Sequence, residues 1–377
     1  MTRTEGAENV ISIMNGNFVQ RGEPALCDKL VRARTAVENG ADLVIELPLK
    51  YGISSANHFA SGAVLTAAAT GLDGTFSFGA SAEKEKLAAL ADILTDLQTA
   101  ALIGEISKKE GKSYPSAAQS YIGTFLPEFS DICEDANNVL GIEYIKAIKE
   151  NGAAFDFFCV DRSKTAFHDA LAPINEYASA QYIRDAVRNG KTDAVKNYMP
   201  QSSFELMNSL LSDGKCTENK RFFSDVCLAR LSDRKADYFT QINGVSQGLE
   251  NRIAECVKES ACLESLQDSV KTKRFTHARI RQIILAAVLG VTRNDLVSGV
   301  NYIRVLAFND KGRELLKQMR NTAKVPVITN LSDINDSSSL QAQRDKSLDI
   351  LAGKLYELCR TKPENGNTEI LIKPYKV

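Results

Sequence analysis

Over the first half of the chain, short apolar runs alternate with longer stretches whose apolar positions recur every three or four residues. The runs are Val10–Met14, Leu43–Leu47, Gly74–Phe78 and Phe155–Val160. The amphipathic stretches are Asp28–Asn39, Ala56–Thr70, Glu83–Leu97 and Asn138–Glu150. Runs this short, bounded by polar turns, predict buried strands, and a period near 3.6 predicts helices. Their alternation is the pattern of an α/β domain. A helix from about Ser179 to Arg188, stopped by Asn189 and Gly190, closes this half.

Beyond Thr192 the pattern turns helical as far as Leu289, with polar breaks at Ser212-Asp-Gly214 and Asn243-Gly244. Strands are expected again at Tyr302–Phe308, Pro326–Thr329 and Glu369–Ile372, beside helices Lys311–Met319 and Leu340–Cys359. The chain therefore divides into an α/β domain, residues 1–190, and a mostly helical domain, residues 191–377, with a small C-terminal α/β part.

Composition narrows the class. The 377 residues are 44% hydrophobic and 25% charged, an ordinary globular balance. No apolar run approaches the roughly 20 residues that span a bilayer. The opening Met1-Thr-Arg-Thr-Glu-Gly is polar and short, unlike a secretory signal, so a cytoplasmic protein is expected. Eight cysteines lie scattered without a C-x-x-C pair, which reads as reduced structural thiols and predicts no metal site. A net charge of −1 excludes nucleic-acid binding by the whole surface, so any RNA site is a local patch. The best patch is Lys271 to Arg281, where Lys271, Lys273, Arg274, Arg279 and Arg281 surround Phe275. Such charges suit phosphates, and an aromatic ring can stack a base; a solvated helix face would look similar.

Candidate chemistry gathers at strand ends, where open α/β sheets bind ligands. The first strand empties into Asn15-Gly-Asn-Phe-Val-Gln-Arg-Gly22, which could be a tight loop between strand and helix, though Gln20 and Arg21 are unusual in a merely structural turn. Gly79 ends the run after Phe76-Ser-Phe, where a nucleotide can lie against bare backbone. Asn137 and Asn138 precede a helix, so one can cap it and one can bond a ligand. Arg162 follows the strand Phe155–Val160 and faces the expected crevice. His168 sits in the polar trio Phe167-His-Asp169. Ser179 and Arg184 lie in a segment that reads as a plain helix start.

These segments carry a family resemblance. N-G-N-F-V-Q-R-G-E-P-A from Asn15 and G-A-D-L-V-I-E-L-P from Gly40 are similar to the tRNA(Met) cytidine acetate ligase family of nucleotidyltransferase-like enzymes. The resemblance continues through Phe76–Gly79, Ser113–Pro115, Asn137–Gly141, Phe167–Asp169, Gly248–Arg252, Lys271–Thr276 and Tyr302–Leu306, nearly the whole chain. It implies a Rossmann-like nucleotidyltransferase sheet in residues 1–190 and tRNA binding in residues 191–377. It also implies ATP, expected with Mg²⁺, as cofactor, and elongator tRNA(Met) and acetate as partners, without DNA or membrane. By the same resemblance, Gly79, Asn138 (with Asn137 beside it), Arg162, Ser179 and Arg184 belong to the ATP site. Asn17, Gln20, Arg21 and His168 would line the substrate side, and the segment Lys271–Arg281 would meet tRNA.

One departure matters. The family opens with a strand and a loop N-P-F-H-x-G-H whose histidines hold the ATP phosphates. No H-x-G-H occurs here; the three histidines are His58, His168 and His277. The chain reads as a member lacking its first strand and phosphate loop, so its catalytic residues are left unassigned. A misplaced start, a fragment and a true truncation all fit. Two functions follow from the sequence: an acetate ligase working through acetyl-adenylate, or an inactive truncated homologue that only binds tRNA.

Overall fold

The computed structural model describes residues 6–162, 177–246, 248–272, 274–364 and 368–377. The strands are β1 (Ile11–Asn15), β2 (Phe18–Val19), β3 (Glu23–Pro24), β4 (Leu43–Leu47), β5 (Thr75–Ala80), β6 (Asp156–Asp161), β7 (Ile303–Phe308), β8 (Val327–Ile328) and β9 (Tyr375–Lys376). β1 runs parallel to β4, with Ile11 opposite Leu43 and Asn15 opposite Leu47. β7 lies antiparallel on the other edge of β4, with a bulge between Val44 and Ile45. β8 and β9 each add in parallel to β7. β5 and β6 form a separate parallel pair, Thr75 opposite Asp156 and Ala80 opposite Asp161. β2 and β3 make a small hairpin in the loop after β1.

The α/β class is confirmed, with three changes of detail. The C-terminal strands do not form a sheet of their own, because β7 joins the N-terminal sheet beside β4. All five residues of β4 are buried, and a buried strand needs hydrogen-bonding partners on both edges. β1 supplies one and β7 the other. Second, the helix expected over Glu83–Leu97 is found as Lys84–Thr95, and a further helix, Leu97–Glu110, follows it across a bend of 73°. Asp96 between them is extended, and its carboxylate caps the second helix by accepting from Thr99 N at 2.9 Å. Third, the strand expected at Glu369–Ile372 is a single helical turn, Thr368–Leu371. Glu369 is drawn inside by two cations, and that attraction outweighs the strand preference of its apolar neighbours.

Helix Ala56–Ala69 packs on β1 and β4, and also on helix Ala136–Glu150, which covers β5. The largest core lies in the helical half. Helix His277–Leu289 is at its centre, buried without interruption from Ile283 to Leu289. A helix apolar on every side must be enclosed by others. Phe18, Leu49 and Ile53 from the α/β half enter the same core. The loop after β1 is thereby rooted in the helical half of the molecule.

Candidate active site

The loop leaving β1 is held from several directions. Asn17 is buried, and its Oδ1 accepts from the backbone N–H of Lys29 at 3.0 Å. Its carbonyl accepts from Ala25 N at 2.9 Å. Arg32 donates to the carbonyls of Asn15 (3.1 Å), Gly16 and Cys27 (3.0 Å), drawing the start of the helix Lys29–Glu38 onto the loop. Phe18 is 1% exposed and packs against Phe223 and Tyr356. Anchored this way, the hairpin presents Gln20 and exposed Arg21 at its rim.

That rim meets the basic segment. Gln282 donates to the carbonyl of Gln20 at 2.9 Å. Gly22 has φ +78°, and a Cβ there would lie 2.6 Å from the Arg281 carbonyl carbon. Arg279 is half-buried against Gly244, its pKa lowered by burial. His58 nearby is also lowered, first by burial and then by the charge of Arg279. Lys271 and Arg281 are exposed, Arg274 is half-buried, and Phe275 packs partly against the helical core, leaving less of its ring to stack on a base. Lys273 and His168 lie outside the described residues.

The carboxyl ends of β5 and β6 bring together three expected nucleotide residues. Arg162 donates its backbone N–H to Ala80 O at 2.9 Å, and its side chain lies across Gly79. A Cβ on Gly79 would stand 2.5 Å from Arg162 Cδ. Asn138 is 3% exposed, and its Oδ1 accepts from Ser81 N (2.9 Å), Ala82 N (3.1 Å) and Ser81 Oγ (3.2 Å). It shapes the turn after Gly79. The helix cap is instead Asp135, which also receives the Asn137 side chain at 3.0 Å. The backbone of Gly79 with an arginine beside it, at a turn held rigid by Asn138, suits an adenosine and its α-phosphate.

Ser179 and Arg184 hold more local posts. Ser179 Oγ accepts from Tyr182 N at 3.0 Å and caps helix Ala180–Arg188. Arg184 donates to Gln181 at 2.8 Å and lies 3.5 Å from Glu23, which also pairs with Arg188 at 3.1 Å. This helix therefore braces the β2–β3 hairpin.

Sequence reasoning missed a buried ionic group beneath the β1 loop. Lys29, Glu46, Arg304 and Glu369 are each under 8% exposed. Lys29 Nζ touches both oxygens of Glu46 (2.8 and 2.9 Å) and also Glu369; Arg304 pairs with Glu369 and stands 3.6 Å from Glu46. Burial alone would raise the Glu369 carboxyl, but Lys29 and Arg304 outweigh it and hold it low. Alongside, Tyr302 donates to Asp349 at 2.6 Å, and Lys50 pairs with Asp345 at 2.8 Å. Burial, then the charge of Glu46, pushes Asp349 up to about 7. The signal was legible: Glu46 and Arg304 are charged residues inside otherwise apolar strands.

Among the described residues no cluster of His, Cys, Asp or Glu could hold a metal ion. No single helix among them is long and apolar enough to cross a membrane. A model of the HIGH Nucleotidyl Transferase family matches residues 1–369. The chain belongs to this family. Among its relatives, the tRNA(Met) cytidine acetate ligase of Acetivibrio thermocellus is 31% identical, with 96% of this chain and 90% of that protein aligned. The tRNA(Met) cytidine acetate ligase of Halothermothrix orenii is 32% identical over 97% of this chain and 92% of its own length. Apo Thermotoga maritima TmcAL superposes with a TM-score of 0.89 at 30% identity, covering 98% of this chain and 92% of that one. Its form bound with alpha-thio ATP gives 0.89 at 29% identity, covering 100% and 94%. The likeness to these ligases therefore extends across both halves of the family member described here.

Proposed function

We propose that this chain is an ATP-dependent acetate ligase that forms N4-acetylcytidine at the wobble position of elongator tRNA(Met). The observation that carries the reading is the cradle at β5 and β6, where Arg162 crosses Gly79 beside the turn ordered by Asn138. The likeness to TmcAL bound with alpha-thio ATP supports nucleotide binding by this chain.

The reaction runs in two displacements. An acetate oxygen attacks the α-phosphate of ATP; the bond to the bridging oxygen breaks and pyrophosphate leaves. The N4 amine of cytidine then attacks the acetyl carbonyl, loses a proton, and AMP leaves. The protein's part is positioning and charge neutralisation. Arg162 faces the α-phosphate, the Ser81 and Ala82 turn orders the nucleotide, and Gln20 and Arg21 stand on the acceptor side. Lys271, Lys273, Arg274, Arg279 and Arg281 supply phosphate contacts for the tRNA. Mg²⁺ arriving with ATP would neutralise the leaving pyrophosphate. The reading places the protein in the cytoplasm with its tRNA.

A second reading is tRNA binding without acetate activation. The deciding experiment measures AMP release from ATP that depends on both acetate and tRNA. Release establishes the ligase. Silence with tRNA still bound establishes the second reading.

A further inference from the structure

We propose that Glu369, from the opposite end of the chain, is a positioning residue for the loop Asn15–Gly22, acting through Lys29 and Glu46. The inference rests on the reading of that loop as the acceptor side of the site.

The connection can be followed atom by atom. Lys29 grips the loop through its backbone, donating to Asn17 Oδ1 at 3.0 Å. Glu46 holds it by contact: its Oε1 lies so close to Gly16 that a Cβ there would clash with it. Both side chains are held in place by one another, the Lys29 ammonium bridging Glu46 and Glu369. Arg304 completes the ring by pairing with Glu369 and donating to the Glu369 carbonyl at 3.0 Å. Glu46 and Arg304 are also direct cross-strand partners of β4 and β7.

Charge makes Glu369 necessary to this arrangement. Two cations face the carboxylates of Glu46 and Glu369, and because burial pushes the neighbouring Asp349 up to about 7, Glu369 is the firm second negative charge of the ring. Without it Lys29 and Arg304 would compete for Glu46 in a site with almost no solvent. The Glu46 carboxylate would then be pulled from its place against Gly16. Nor is the group there to maximise stability, since an apolar core of similar volume is commonly as stable as a buried ionic cluster. Glu369 even retains a buried Oε2 with no hydrogen-bond partner among the described residues. What the charges add is a defined geometry, transmitted to the loop. Gly353 makes room for the carboxylate, since a Cβ there would come within 2.8 Å of Glu369 Oε2.

The test is amide hydrogen exchange on the full chain, comparing wild type with Glu369→Gln and Glu369→Asp. Exchange reports local opening independently of any activity. Glu369→Gln is expected to speed exchange at residues 16–22 by roughly tenfold or more, while β5 and β6 keep their wild-type rates. Glu369→Asp keeps the charge and is expected to recover part of the protection. Unchanged exchange at 16–22, or an equal rise everywhere, overturns the proposal. If Glu369→Gln does not fold, Lys29→Met/Glu369→Gln leaves Glu46 and Arg304 as a single pair. Wild-type protection of the loop in that double variant would also overturn it. In the acetylation assay Glu369→Gln should lower kcat/KM for tRNA with KM for ATP little changed. A wild type without acetylation activity rejects the ligase reading, and the exchange data still decide the role of Glu369.

Discussion

Gln282 donates its side-chain amide to the backbone carbonyl of Gln20 at 2.9 Å, joining positions 262 residues apart in the chain. One comes from the loop expected to meet substrate. The other follows directly on the segment expected to meet RNA. Two candidate surfaces that sequence could only name separately are thus one continuous rim.

Disturbing this contact should be felt on both sides. Gly22→Ala forces a side chain into a left-handed conformation and against the Arg281 backbone, so a loss of about 1–3 kcal/mol is expected. Gln282→Ala should cost about 1 kcal/mol. Denaturant midpoints give the stability changes, and tRNA binding at fixed salt should weaken in both variants. Full-strength tRNA binding by a folded Gly22→Ala protein would separate the two surfaces functionally.

Gly79→Ala should act on the nucleotide. The new methyl displaces Arg162, whose long flexible side chain can move at little cost in stability. The thermal midpoint is expected to stay within a few degrees, while affinity for alpha-thio ATP falls about tenfold or more, the value of one charge-assisted contact. The double variant Gly79→Ala/Arg162→Ala should bind no worse than Arg162→Ala alone. Unaltered nucleotide affinity in Gly79→Ala would remove Gly79 from the site.

Asn138 and Asn137 should separate cleanly. Asn138→Ala strips the acceptor from two backbone amides in a buried turn, while the Ser81 hydroxyl keeps Asp135 at 2.6 Å, an expected loss of about 2–4 kcal/mol. Asn137 bonds only the capping Asp135 among the described residues, so Asn137→Ala should cost under about 1 kcal/mol. Chemical denaturation of the two variants side by side decides this, and equal losses would contradict the assigned roles.

Asp349 should make stability depend on pH. Its carboxyl ionises at about 7 in the folded protein against 3.8 in the free state, chiefly because it is buried. Between those values the unfolded chain has released a proton that the folded chain keeps, so stability falls as pH rises. The contribution is fully present below pH 4 and lost once pH passes 7. Tyr302, Glu46, Lys29 and Arg304 surround the group, and Asp349→Asn removes only its titration. Thermal midpoints of wild type and variant should diverge in the variant's favour from pH 5 to pH 8. A constant difference would show that Asp349 does not titrate in that window.

Much of this was legible in one dimension. The strand Leu43–Leu47 matches its expected bounds, and β1, β5, β6 and β7 lie within about two residues of theirs, because apolar runs bounded by turn residues leave few alternatives. Gly79, Asn138 and Arg162 were expected at strand and helix ends and are found around one turn. The helix expected over Glu83–Leu97 ends where Asp96 breaks it, while the helix Leu97–Glu110 that follows was not foreseen. The segment at Glu369 is helical where strand was expected, because its apolar neighbours favour strand while the partners of Glu369 lie 340 and 65 residues away.

What the sequence determined by itself is the set of elements: which segments are strands, which are helices, and which polar residues stand at their ends. These follow from local periodicity and capping, which need only near neighbours. Tertiary structure alone decided that β7 closes the N-terminal sheet, that the basic segment abuts the Gln20 rim, and that four distant charges share one buried site. Each of those outcomes pairs groups whose separation along the chain carries no periodic signal. Burial makes the pairing compulsory, because a strand edge or a charge removed from water must find its partner wherever the fold brings one.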